Sequence, residues 1–269
     1  MNQNYLKIQK NLGLGKNIAF DLDVTITELE RLFPVTNEAN ALDHFYGRII
    51  PLLKSYAAAF IVNPMRFMSG ATSLHLDLLF IKFTDDTDIP VIVELDGIND
   101  ERIAQQYVVS HLFNGKHVAG VIIPATTPMR AFAVIARENG KILFVNPMIE
   151  TIDEIDACMR PKFFLSALYA YFNIVENNQT DTILGVDMPQ SSFHQRLLKD
   201  YFDMKKDVNY LIMEHTIGND ENIIRIPLSI FFPNRNAFDD QNDITKEAVY
   251  EKITQNLKSY LLKSETVTI

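Results

Sequence analysis

Two apolar, β-favouring runs lie close together in this sequence, at Leu74–Phe83 and Ile89–Leu95. The polar stretch Thr84-Asp85-Asp86-Thr87-Asp88 separates them. Runs of this kind, broken by a short polar turn, predict a β-hairpin buried on at least one face. A hairpin brings its outer ends together. His75 opens the first strand and Glu94 closes the second, so an imidazole and a carboxylate are expected to meet there. That pairing is the base and orienting acid of a catalytic triad. Asp96, two residues on, is the less favoured substitute for the acid.

The other elements are arranged around this pair. Residues 1–16 are polar and read as a loose N-terminal arm, with 17–269 as a single domain. Strands are expected at Ala57–Val62, His117–Ile123, Lys141–Val145, Thr182–Val186, Val208–His215 and Ile223–Phe232. Thr127-Pro128 caps a helix running to Asn139, favoured over a hairpin turn at Asn139-Gly140. An amphipathic helix, Thr245–Lys263, closes the chain. Without a strict strand–helix period, the expected class is α+β, loosely α/β. Its centre is a mixed sheet carrying the His/Glu hairpin, with helices packed around it.

With 47% hydrophobic residues in 269, the chain can bury a substantial core. Its net charge of −9 disfavours nucleic acid as a partner, because phosphates need a basic surface. The single cysteine, Cys158, excludes an internal disulfide and points to a reducing setting. No apolar run reaches the roughly 18 residues of a membrane span. The N-terminus lacks a secretory core. The expected location is the cytoplasm, or a host cytosol reached by a specialised secretion system.

The segments FIVN at 60–63, HLDLLFIKF at 75–83, VIVE at 91–94, HVAGVIIP at 117–124 and Pro161-Lys162-Phe163-Phe164 resemble the YopJ-type effector acetyltransferases, built on the CE-clan (ubiquitin-like-protein protease) fold. The resemblance implies His75 as general base, Glu94 as its orienting acid, no cofactor, and a host or ubiquitin-like protein as partner. The nucleophilic cysteine of that family falls at Met129 to Ala131, where this chain has none, and Cys158 lies far along the sequence. A glutamine expected near Ala125 is also missing. The implied function is therefore a catalytically degenerate effector that acts by binding. A less favoured register of the same clan places Ala131 and Asn146 at the His and acid positions and keeps Gln190.

A second resemblance starts at Phe20-Asp21-Leu22-Asp23-Val24-Thr25, which is similar to motif I of the haloacid dehalogenase (HAD) phosphatases. It implies Asp21 as nucleophile, Asp23 as acid/base, Thr126 or Thr127, Lys162 and Asp187 as the later motifs, and Mg²⁺ as cofactor. Val24 stands where that motif has glycine, and Asp187 is one acid where two are usual. Degenerate binding protein and magnesium phosphohydrolase both stay open here, and with them whether the chain is an enzyme.

Overall fold

A computed structural model of the chain describes residues 3–32, 38–63, 88–95, 118–124, 129–146, 184–188, 195–196, 210–215, 222–239 and 244–266. Its strands are β1 (Ile18–Asp21), β2 (Ala57–Val62), β3 (Val91–Glu94), β4 (Val118–Pro124), β5 (Ile142–Asn146), β6 (Leu184–Asp187), β7 (Tyr210–Glu214) and β8 (Ile223–Pro227). Each strand pairs in parallel with the next, and β8 returns to pair with β1, closing a barrel.

This architecture overturns the mixed α+β sheet. One edge of β3 is held by β2 and the other by β4, both in parallel. No edge of β3 is left for an antiparallel partner, so the His75–Glu94 hairpin cannot form around it. The expected first strand of that hairpin, 74–83, lies outside the described residues. The CE-clan and HAD resemblances fall with the sheet, because a closed parallel barrel has neither topology.

Closure follows from the strand sequences. β1, β2, β3 and β5 are almost continuously apolar and buried on both faces, as strands covered on both sides must be. Alternate residues point in opposite directions. Ala19, Ala59, Ile61, Ile92, Ile122, Phe144 and Met213 share the barrel interior. Phe20, Phe60, Val93, Val121, Val145 and Ile226 face outward into a second apolar layer. The outer layer includes α3 (Glu38–Leu53), α4 (Met129–Glu138) and α5 (Lys246–Thr266). Phe45 of α3 stacks on Tyr250 of α5 with ring centroids 5.9 Å apart. Strands inside and helices outside make this a TIM barrel.

Gln3–Gly13 form α1, whose Tyr5, Ile8 and Leu12 lie on one helical face and join the interior cluster. Asn4 donates to Gly140 O at 2.9 Å, Asn11 to Ala58 O at 3.2 Å, and Lys7 pairs with Asp88 at 2.6 Å. These partners stand at the N-terminal ends of β5, β2 and β3, so α1 closes that mouth of the barrel. Gly15, at φ 74°, ends the helix. Its N–H reaches Leu12 O at 2.9 Å, and the Lys16 N–H reaches Asn11 O at 3.0 Å. That is a Schellman stop, and it explains the glycine at position 15.

Candidate active site

The opposite mouth has a different character. The strands arrive there with polar residues: Asp21 ends β1, Asn63 follows β2, Glu94 ends β3, Asn146 ends β5, Asp187 ends β6 and His215 follows β7. Asp21, Glu94 and Asp187 follow Ala19, Ile92 and Gly185 by two residues, so each points into the barrel. On β8, Arg225 follows the interior residue Ile223 in the same way.

These side chains converge. Arg225 Nη1 donates to Asp187 Oδ2 at 2.5 Å, and Nη2 donates to Asp21 Oδ2 at 2.6 Å. Nη2 also lies 2.7 Å from Glu94 Oε1. All four groups are buried, with Asp187 only 2% exposed. The guanidinium fork suits this task, because its donors are planar and fixed. His215 completes the group: its Nε2 is 3.2 Å from Asp187 Oδ1. That is ion-pair distance but off the line of a hydrogen bond, so Oδ1 has no hydrogen-bond donor among the described residues.

The cluster holds more acid than base. Burial pushes the Glu94 carboxyl above the usual carboxylate range; Arg225 pulls it back in part, and Asp21 and Asp187 raise it further. For Arg225, burial acts downward, but Asp187, Asp21 and Glu94 outweigh it and hold the guanidinium above its ordinary value. Glu94 is thus a carboxyl raised above its ordinary range beside a permanent cation. Among the described residues, no group of three or more His, Cys, Asp or Glu is arranged to hold a metal ion.

Asp21, Glu94 and Asp187, drawn from two unrelated resemblances, meet on one guanidinium. His75, Thr126 and Lys162 lie outside the described residues, as does Asp96. Ala131 lies within α4, at the predicted helix. Asp23 makes a different contact, with Ser229. Its carboxylate accepts from the Ser229 N–H at 2.8 Å and from the Ser229 hydroxyl at 2.5 Å. Ser229 belongs to the 3-10 helix Leu228–Phe231 directly after β8, so Asp23 fastens the loop after β1 to the loop after β8. Asp23→Ala should lower stability by about 1–2 kcal/mol, the range for a hydrogen bond to a charged group. Urea unfolding checks this, and Asp23→Asn should recover part of the loss.

Sequence reasoning misses Arg225 and His215. The signal for Arg225 is a lone charge inside the apolar run Ile223-Ile224-Arg225-Ile226. His215 reads in the sequence only as the end of a strand.

A cleft of about 580 Å³, lined by none of the cluster residues, opens between α2 (Ile26–Glu30) and the segment after β8. Arg31 and Arg235 line it together with Glu28, Ser229, Phe232 and Asn234. Neither arginine has an ion-pair partner among the described residues. Asp21 and Arg225 lie a few residues away along the chain, at the same end of the barrel.

No family model matches the sequence, and comparison with curated proteins gives no match. Solved structures do match. Orotidine 5'-monophosphate decarboxylase of Plasmodium berghei is 13% identical, with a TM-score of 0.60, over 95% of this chain and 98% of that one. OMP decarboxylase of Leishmania donovani is also 13% identical, with a TM-score of 0.54, over 94% and 98%. UMP synthase of Leishmania donovani is 13% identical, with a TM-score of 0.56, over 95% of this chain and 56% of that one. None of these resembles a YopJ-type effector or a HAD phosphatase. At such identities the likeness establishes the TIM barrel and its strand order, and the chemistry must be argued from the site itself.

Proposed function

We propose that this chain is a TIM-barrel enzyme whose active site is the C-terminal mouth, where Glu94 acts as proton donor to a small phosphorylated substrate. The observation that carries the reading is the charge layer itself. Four ionisable side chains from four strands meet inside a barrel whose interior below them is apolar. Apolar residues of similar volume would hold such a layer at no loss of stability, since buried ions rarely repay their desolvation. A buried acid raised above its ordinary range, as Glu94 is, at the end of the barrel that carries chemistry is instead what catalysis uses.

Decarboxylation is the reaction class the site suits best. Cleavage of the carbon–carboxylate bond releases CO₂ and leaves the bonding pair on carbon. The Glu94 proton closes that carbon, and the resulting carboxylate is stabilised by Arg225. A proton from solvent restores the acid. Arg31 and Arg235, in the cleft formed by the segments after β1 and β8, suit the anionic end of the substrate, and the cleft is of ordinary ligand size. Orotidine 5'-monophosphate is the first compound to test, because the solved structures sharing this fold are named for it.

Decarboxylation of orotidine 5'-monophosphate, followed by ultraviolet absorbance, should show turnover. Glu94→Gln should reduce kcat by about 100-fold while the fold is kept, as for loss of a general acid. Absence of both turnover and calorimetric binding would remove this substrate. Full activity in Glu94→Gln would remove the acid.

A further inference from the structure

We infer that His215 is a second catalytic acid–base residue of this site, with Asp187 as its orienting acid. The inference rests on the proposed decarboxylase reading for its substrate but not for its geometry. A base–orienter pair needs an imidazole with one nitrogen fixed by a buried carboxylate and the other left for the substrate. His215 stands at the end of β7 and follows Met213 by two residues, on the inward side of the strand. Its Nε2 faces Asp187 Oδ1 at 3.2 Å. Its Nδ1 has no partner among the described residues. Asp187 is itself anchored, because its other oxygen accepts from Arg225 Nη1 at 2.5 Å. The neighbouring acid Glu214 does not compete for the imidazole, since its Oε1 accepts from Asn222 at 3.0 Å.

Exposure separates His215 from the rest of the cluster. Its side chain is 15% exposed against 2% for Asp187, so it is the member of the group that reaches the mouth. With Nε2 facing a carboxylate oxygen that lacks a donor, the pair favours the Nε2–H tautomer, which leaves Nδ1 as the basic nitrogen. In the proposed step, Nδ1 takes a proton from solvent at the mouth. The imidazolium so formed is held by the Asp187 carboxylate, and the proton passes on into the site to replace the one that Glu94 gives to carbon. The slack in the His215–Asp187 contact is ordinary for a site without substrate, where catalytic hydrogen bonds run long.

The test has two arms. First, ¹⁵N NMR of the full-length protein, with His215 assigned by its loss in His215→Gln, reads the tautomer of the neutral ring. The Nε2–H tautomer is expected, shifting toward Nδ1–H in Asp187→Asn. An Nδ1–H tautomer in the wild-type protein, or no change in Asp187→Asn, overturns the inference. Second, His215→Gln should lower kcat for orotidine 5'-monophosphate by about 100-fold with KM little changed. Added imidazole should restore part of the activity of His215→Ala, which a purely structural role would not allow. Full activity in His215→Gln overturns the inference as well. If the wild-type protein leaves this nucleotide unchanged, the proposed substrate fails, and the tautomer measurement alone decides the role of His215.

Discussion

Arg225→Met is expected to lose about 3–5 kcal/mol of folding stability at neutral pH, the range for stripping a buried ionic group of its partner. Methionine has nearly the length of the arginine stem, so packing changes little and the loss reports charge. Three carboxylates share that one guanidinium: Asp21, Asp187 and Glu94. Without it, they are left buried together. Arg225→Lys should fall between the two, because an ammonium keeps the charge but loses the planar fork that reaches Asp187 with one nitrogen and Asp21 with the other.

The same variant should show a characteristic dependence on pH. In the wild-type protein, Arg225 opposes the rise of the Glu94 carboxyl above its ordinary 4.5. Removing it lets that carboxyl rise further. A carboxyl whose folded value exceeds its unfolded value holds a proton in the native state after the unfolded chain has released it. Stability therefore falls as pH rises through that interval, and the full penalty stands above it. The difference between Arg225→Met and wild type should be small near the ordinary carboxylate value and largest at neutral pH. Urea titrations at about pH 5 and pH 8 decide it; a difference equal at both would mean that the arginine contributes packing rather than charge.

Much of the barrel is legible in the sequence, but as separate strands rather than as a repeat. Ala57–Val62, Lys141–Val145 and the strand after His117 stand out as unbroken apolar runs, and α4 is marked by its Thr-Pro start. The misleading segment is Ile89–Leu95. A run buried on both faces looks the same whether its neighbours are parallel or antiparallel, and the acidic stretch before it has the composition of a hairpin turn. In the barrel, Asp88 instead precedes β3 and meets Lys7 of α1. The helix α1 is hidden because three apolar side chains suffice to cover the barrel floor, leaving the rest of it polar. The acids of the site are legible as residues and not as a site. Asp21, Glu94 and Asp187 are 73 and 93 residues apart in sequence, and only closure of the sheet brings their strand ends together. A sharper clue lies in the way apolar runs end: Phe-Asp, Val-Asn, Val-Glu, Val-Asp and Glu-His.

Gly185→Ala tests whether that closure is as tightly determined as the ion cluster requires. Gly185 of β6 lies directly opposite Phe144 of β5. A methyl group at Gly185 would stand 2.0 Å from Phe144 Cδ1 and 2.2 Å from Cε1. The ring is fully buried in the barrel interior, so it has no open space to move into. A single added carbon is therefore expected to cost about 3 kcal/mol, at the upper end for overpacking a core. The damage should reach the site. Asp187 is two residues further along the same strand and on the same face, so a strand pushed outward by the ring carries Asp187 away from Arg225. Phe144→Leu placed beside Gly185→Ala should recover much of the loss, because the two positions share one volume and their effects are not additive. Thermal or urea unfolding of the two single variants and the double variant measures this coupling. If the losses simply add, the ring does not cover the glycine, and the placement of Asp187 owes nothing to it.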